Sequence, residues 1–316
     1  MGGTGSLGYT LTERYLKNNT VSIYSRGENN QWKMKRDFEH NPNLQFFVGD
    51  IRDKERVETV IFRSNPNIII IAAALKHIDI CEKNINECIN TNIDGIRNIV
   101  NVITMCSMNG TVPFLDTVLL VSTDKACSPV NAYGMCKAIS ERVIVEKSEF
   151  LPSPKFINVR YGNVLLSRGS LIPLFKTIAD DPSKPPFTIT CETMTRFFMS
   201  LDDSVNLIDY AINNGQSGET IIPKFISSYR ICDIAKYFSE KYNRPIVKTN
   251  IRPGEKIHET LISFTESLRT QERDGYYIIK PTYAKQQKPC MFSTKEFDSS
   301  QPIPLDEKIL SAINDI

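Results

Sequence analysis

The chain has 316 residues and few of the features that mark a metalloprotein. Its eight cysteines (Cys81, Cys88, Cys106, Cys127, Cys136, Cys191, Cys232 and Cys290) form no CxxC pair, and histidine occurs only at positions 40, 77 and 258. Structural zinc needs closely spaced thiolates and imidazoles, so no metal site is expected and the cysteines read as reduced thiols. Net charge is nearly absent: 38 basic residues face 36 acidic ones. That balance gives no field to attract nucleic acid or an anionic membrane, although a discrete anionic ligand stays open. No long apolar run exists either. The longest, Ile68 to Leu75, falls far short of the ~18 residues of a membrane helix. The N-terminus carries glycines where a signal peptide has a basic stretch and an apolar core, so a cytoplasmic protein is expected.

What is present is ordinary globular composition, 41% hydrophobic and 23% charged, in a chain long enough for about two domains at ~150 residues each. Short β-branched runs at Val21–Tyr24, Leu44–Val48, Ile68–Ile71, Val118–Val121 and Phe156–Val159 alternate with helix-length segments such as Asn86–Thr104 and Tyr133–Lys147. Near-continuous apolar runs suit strands buried on both faces of a parallel sheet, with amphipathic crossovers between them. The expected fold is α/β: a doubly wound parallel Rossmann-type sheet over residues 1–164, with about 200–224 returning to it. Prolines interrupt the later sequence, so a smaller α+β portion is expected over 165–199 and 225–316, ending in a helix near Leu305–Ile313.

Glycines at 2, 5 and 8, followed by a helical segment Tyr9–Lys17, can turn tightly and let backbone N–H groups approach a pyrophosphate at a helix N-terminus. By itself such a stretch is also what a flexible tail looks like. Context favours a dinucleotide: Ser25-Arg26 lies where the second strand of a Rossmann fold meets the adenosine ribose, and Asp50 where a carboxylate reaches the adenine. An NAD site tends to carry Asp or Glu at the end of that strand, whereas the Arg26 guanidinium can clamp a 2′-phosphate, which points to NADP. A Rossmann fold also places a strand immediately before its glycine loop. Here the loop follows Met1, so a central strand is expected to be missing, through a shortened chain or with another segment in its place.

Ser122-Thr123-Asp124-Lys125-Ala126 follows a buried run, and Tyr133 and Lys137 stand four apart at the start of the next helix, sharing a face. A lysine ammonium there is expected to pull the phenol from ~10 toward neutrality so that Tyr133 can act as a base. With these residues in place, the sequence resembles the extended short-chain dehydrogenase/reductases. More narrowly, it resembles the inverting UDP-N-acetylglucosamine 4,6-dehydratases of the polysaccharide-biosynthesis group. The motifs are GGTGSLG (2–8), YSRGE (24–28), GDIRD (49–53), AAALKH (72–77), TNIDG (91–95), STDKACSPVNAYGMCK (122–137), VRYGNV (159–164), SRGSLIP (167–173), MTRF (194–197) and IRPGEKIHE (251–259).

The resemblance implies that Tyr133 and Lys137 form the dehydrogenase pair with Thr123 beside them. Asp124 and Lys125 would take the dehydratase positions, where relatives acting on deoxynucleoside diphosphate glucose carry Asp-Glu. It implies a cofactor site of Gly2, Thr4, Gly5, Ser6, Leu7, Gly8, Ser25, Arg26, Asp50, Ile51, Ala72, Lys76, Tyr133, Lys137 and Val164. Lys76, Asn163, Arg168, Arg196, Arg252 and Glu255 are implied around the nucleotide sugar. His77 and His258 are expected to serve structural hydrogen bonds. The implied activity is conversion of UDP-N-acetylglucosamine to UDP-2-acetamido-2,6-dideoxy-L-arabino-4-hexulose by a homo-oligomer, dimer or hexamer. In that reading Lys125 takes the C5 proton and Asp124 protonates the leaving hydroxyl. Two departures stand out: Gly27 and Asn30 replace an Asp and a Lys of the family pattern, which weakens NADP binding, and Leu165-Leu166 replaces a glycine position near the sugar. A UDP-sugar 4-epimerase and a catalytically silent NADP-binding homologue remain the alternatives.

Overall fold

The computed structural model describes residues 1–284 and 295–314. Cys290 and positions 286–294 lie outside the described residues. The first half runs α1 (Ser6–Tyr15), β1 (Val21–Ser25), α2 (Glu28–Asp37), β2 (Leu44–Val48), α3 (Lys54–Ser64), β3 (Ile68–Ile71), α4 (Ile78–Lys83), α5 (Ile85–Ile89), α6 (Gly95–Met108), β4 (Thr117–Val121), α7 (Ala132–Phe150) and β5 (Lys155–Val159). The segment expected as one helix from Asn86 to Thr104 is instead α5, a π-helical turn over Asn90–Asp94, and α6.

Side chains alternate across the pleat, which explains why β4 and β5 read as unbroken apolar runs. Val118, Leu120 and Phe156 pack with Val57, Val60, Ile99 and Ile103 of α3 and α6, whereas Leu119, Ile157 and Val159 pack with Leu11 of α1 and with Val205 and Ile208. The two faces are both covered, as a doubly wound sheet requires.

The second half adds β6 (Asn163–Val164), α8 (Leu171–Asp180), β7 (Phe187–Ile189), β8 (Thr195–Met199), α9 (Leu201–Asn214), β9 (Thr220–Pro223), β10 (Ser227–Arg230), α10 (Ile231–Tyr242), β11 (Ile246–Lys248), β12 (Thr260–Ile262), β13 (Thr270–Arg273), β14 (Tyr276–Ile279) and β15 (Phe297–Asp298), with a last helix at Glu307–Asn314. The main sheet has the order β13-β14-β9-β5-β4-β3, parallel from β9 to β3 and antiparallel through the β13–β14 hairpin. That hairpin differs from the division expected at residue 225, because its backbone completes the edge beside β9. The ion pairs of buried Glu219 with Arg273 and Lys280 fasten it there.

β1 and β2 form a separate parallel pair. Met1 and Gly2 bridge the two sheets: the Met1 amine donates to the Ile70 carbonyl, Ala72 N–H to the Met1 carbonyl, and Gly2 N–H to the Tyr24 carbonyl. Among the described residues β1 and β3 do not pair directly. The smaller portion has its own core around Phe175, Phe187 and Phe238, whose ring centroids lie 5.2–5.7 Å apart. Among the described residues no helix is long and apolar enough to cross a membrane, and no cluster of three or more potential metal ligands occurs.

Candidate active site

The C-terminal ends of β1, β3 and β4, helix α1 and the segment after β5 enclose a cleft of about 810 Å³. Every residue expected along the cofactor lines it, from Gly2 to Val164, and so do Thr123, Lys125, Asn163 and Arg168. Gly5 caps α1 with no side-chain acceptor, which leaves the first-turn N–H groups open to an anion. Gly8 lets the helix lie on the loop, since a Cβ there would stand 2.3 Å from the Gly3 carbonyl oxygen. The hydroxyls of Thr91 and Ser122 are buried in the wall without a hydrogen-bond partner. Buried polar atoms are seldom left unpaired, so these suit a polar ligand deep in the cleft. The loop, the open helix end and the orphan hydroxyls together fit a dinucleotide.

At the adenosine end, Arg26 is half exposed and its Nη1 lies 3.6 Å from Asp50 Oδ2. Asp50 is held more tightly by Arg52 at 2.7 Å. Burial pushes the Asp50 carboxyl up, but the hydrogen bonds and charge of Arg52, with Arg26 behind it, hold it below its ordinary value. The carboxylate expected to face adenine is therefore already paired.

The reacting end is built from the turn after β4 and the start of α7. Asn131 caps α7 by accepting from Gly134 N–H at 2.8 Å, and a Cβ at Gly134 would sit 2.2 Å from the Lys125 carbonyl oxygen. The missing side chain lets α7 press on the Asp124–Ala126 turn, bringing Tyr133 beside Thr123 and Lys125. Lys137 donates to the Val121 carbonyl at 2.6 Å, and burial pushes its ammonium down to about 8 against the pull of Glu141. Burial also pushes the Tyr133 phenol up to about 12, and the cation that opposes this is Lys125. The expected lowering of the phenol by the lysine four residues on is corrected here: desolvation of a fully enclosed ring outweighs it.

Asp124 is wholly buried. Its Oδ1 accepts from Thr123 Oγ1 at 2.9 Å and from Lys125 Nζ at 3.1 Å, while Oδ2 has no hydrogen-bond partner among the described residues. Burial and the nearby Glu259 raise its carboxyl, against Lys125. Lys125 is also close to Asn163 Oδ1 and Glu259 Oε1, both at 3.4 Å. Burial alone would lower its ammonium, but Asp124 and Glu259 raise it well above the ordinary lysine value. Lys125 thus stands as a cation between two carboxylates rather than as the free base expected.

The residues expected around the sugar divide. Lys76 Nζ donates to the Arg168 carbonyl at 2.7 Å, Arg168 N–H to Ser6 Oγ at 3.1 Å and Arg168 Nη2 to the Thr4 carbonyl at 3.2 Å, so this segment lies across the glycine loop. Arg196, Arg252 and Glu255 do not line the cleft. Arg196 is buried, donating to the Thr195 and Ile257 carbonyls, and exposed Arg252 pairs with Glu255 three residues along its loop. His258 accepts or donates at Thr195 Oγ1, 2.7 Å away, the structural role expected for it. Glu259 and Lys256 were given no role by the sequence, although both lie in the block 251–259. Their only signal was membership of that block.

A glycine loop at a helix N-terminus, a doubly wound sheet and a Tyr–Lys pair beyond its central strands define an extended short-chain dehydrogenase/reductase. The chain belongs to the polysaccharide biosynthesis protein family, whose profile matches residues 1–281. It is 40% identical over 286 residues to the UDP-N-acetylglucosamine 4,6-dehydratase (inverting) of Campylobacter jejuni subsp. jejuni, covering 89% of this chain and 81% of that relative. It is 36% identical over 288 residues to the UDP-glucose 4-epimerase of Rickettsia bellii, covering 88% and 81%. Pen from Bacillus thuringiensis superposes with a TM-score of 0.88 at 30% identity, over 100% of this chain and 97% of that one.

Proposed function

We propose that the protein is an inverting UDP-N-acetylglucosamine 4,6-dehydratase, a hydro-lyase that uses bound NADP. The observation that carries the reading is the Asp124–Lys125 contact of 3.1 Å, in which Lys125 lines the cofactor cleft beside Tyr133 and Asp124 lies buried behind it. A 4-epimerase needs Tyr133 and Lys137 but has no use for a buried acid–amine pair. The cofactor supplies reversible hydride acceptance from C4 and hydride donation to C6. Arg26, with no carboxylate at the end of β1, supports NADP over NAD.

Tyr133 accepts the C4 hydroxyl proton in its phenolate form, which the Lys125 cation favours. Oxidation at C4 acidifies the C5 hydrogen. The Asp124–Lys125 pair reacts from the arrangement in which its shared proton has crossed the 3.1 Å contact onto Asp124, leaving an amine and a carboxyl group. The raised Asp124 carboxyl favours that arrangement, and the raised Lys125 ammonium opposes it. Lys125 Nζ then takes the C5 proton, the C5–H electron pair forms the C5=C6 bond, and Asp124 protonates the departing C6 hydroxyl to water. A solvent proton delivered to C5 from the face opposite Lys125 would then give the L-configuration.

Mass spectrometry of the product from UDP-N-acetylglucosamine tests the reading: loss of one water supports it, an isomer of unchanged mass favours the epimerase, and no conversion refutes both. A homo-oligomer is part of the same reading. It is supported by exposed Ile80, Ile85, Met135 and Ile139 on the neighbouring helices α4, α5 and α7. Light scattering that reports a monomer at micromolar concentration refutes it.

A further inference from the structure

We propose that Glu259 is a positioning residue of the reaction, fixing the place of the Lys125 amine and serving as the permanent counter-charge to the ammonium that forms there. The inference rests on the dehydratase reading and adds to it a carboxylate from far along the chain.

Glu259 is 2% exposed and immediately precedes β12. Its backbone is pinned on both sides, N–H donating to Ser299 Oγ at 2.9 Å and the carbonyl accepting from Ser299 N–H at 2.9 Å. Three cations converge on its carboxylate: Lys125 at 3.4 Å and Arg196 at 3.7 Å on Oε1, and Lys256 at 3.7 Å on Oε2. Arg196 and Lys256 are themselves anchored to main-chain carbonyls, Lys256 to Cys127 at 2.7 Å. Burial alone would raise the Glu259 carboxyl, but these cations hold it below its ordinary value. An isolated buried carboxylate would neutralise, so this ring of cations keeps it charged.

The two carboxylates facing Lys125 therefore differ. The Asp124 carboxyl is raised and the Glu259 carboxyl lowered, so of the two Asp124 takes up the pair's proton more readily. When Lys125 takes the C5 proton, positive charge appears on Nζ and Glu259 already faces it. An anion placed where charge develops stabilises the transition state without reorganisation. The groups facing Lys125 are Asp124, Glu259, Arg196 and Tyr133, and those facing Glu259 are Lys125, Arg196, Lys256 and Asp124.

The sign of the pH effect follows. The pair is active while it holds one proton, and activity falls at low pH as it gains a second. Removing the Glu259 anion makes that second proton harder to add, so the acid limb moves to lower pH. Removing the Lys256 cation makes it easier, and also eases protonation of Glu259, so the limb moves to higher pH.

The test uses Glu259→Gln, Glu259→Asp and Lys256→Met in the full chain, with kcat, KM and pH profiles measured on UDP-N-acetylglucosamine. Glu259→Gln is expected to lower kcat about 10- to 100-fold, the scale for losing one electrostatic stabiliser, with KM within about twofold. Its acid limb should move down, that of Lys256→Met up, and Glu259→Asp should recover part of kcat. Thermal unfolding and NADP titration of each variant identify any that fail to fold, and Lys256→Met then carries the comparison. A wild-type kcat in Glu259→Gln, or limbs that do not move in opposite directions, overturns the role of Glu259. A wild-type enzyme that releases no water overturns the dehydratase reading instead.

Discussion

Replacing Arg160 by Met should cost the protein a large share of its stability and disturb the reacting end from below. Arg160 is 3% exposed, and all five of its N–H donors are used. Nε and Nη2 reach Glu141 at 3.0 and 2.6 Å, Nη1 and Nη2 reach Glu266 at 3.0 and 2.9 Å, and Nη1 also reaches the Leu261 carbonyl at 2.8 Å. Glu141 lies on α7 one turn beyond Lys137, so the clamp fixes the helix that carries Tyr133. Breaking a buried pair from one side leaves charge uncompensated and costs about 3–5 kcal/mol. The Glu266 carboxyl gives an independent measure. Burial alone would raise it, yet Arg160 holds it at about 2 against an ordinary 4.5. A folded value below the unfolded one stabilises the protein fully above about pH 4.5, and that stability is lost as pH falls toward 2. The contribution is about 3 kcal/mol at pH 7 and about 1 kcal/mol at pH 3. Denaturant unfolding of wild type and Arg160→Met at both pH values should therefore show a penalty of about 3–5 kcal/mol that shrinks on acidification. A penalty below about 1 kcal/mol at pH 7, or one unchanged at pH 3, would refute this reasoning.

Arg26→Asp should weaken NADP binding far more than NAD binding by calorimetry, and equal affinities in the wild type would remove Arg26 from cofactor selection. Gly134→Ala places a methyl group 2.2 Å from the Lys125 carbonyl oxygen. Neither backbone can yield cheaply, so turnover should fall more than about tenfold while the glycine loop still binds cofactor; unchanged kcat would mean that α7 can shift. Lys137 loses its charge as pH rises through about 8, so dinucleotide binding should weaken between pH 7 and 9.5, and Lys137→Met should abolish that dependence in a binding titration.

The sequence carried the alternation of buried strands and crossover helices because each strand of a covered parallel sheet must be apolar on both faces. Ile68–Ile71 and Leu44–Val48 match their strands to the residue through their β-branched and aromatic content, although Ile68, Gln45 and Val48 are exposed. The β13–β14 hairpin was not legible: β13 at the edge leaves Gln271 and Glu272 exposed, and the apolar run Tyr276–Ile279 of β14 does not by itself say which sheet it joins. Glycine spacing and the Tyr-x-x-x-Lys step placed the cofactor cleft, since both are local geometry. Arg196 was expected beside the nucleotide sugar because an arginine is ambiguous in sequence. Its use is decided by Glu259, which arrives beside it only in three dimensions. The raised ammonium of Lys125 was legible only in part, because Asp124 beside it in sequence is joined by Glu259 from far along the chain.

The central claim is that the Asp124–Lys125 pair eliminates water and inverts C5. The most direct measurement is nuclear magnetic resonance of the product formed from UDP-N-acetylglucosamine in D2O, by wild type and Lys125→Ala. The account predicts a 4-keto-6-deoxy product of L-arabino configuration with one deuterium at C5, and deuterium carried from C4 of labelled substrate to C6. Lys125→Ala should bind cofactor yet release no water. A D-configured product, a C4 epimer of unchanged mass, or full turnover by Lys125→Ala would contradict it.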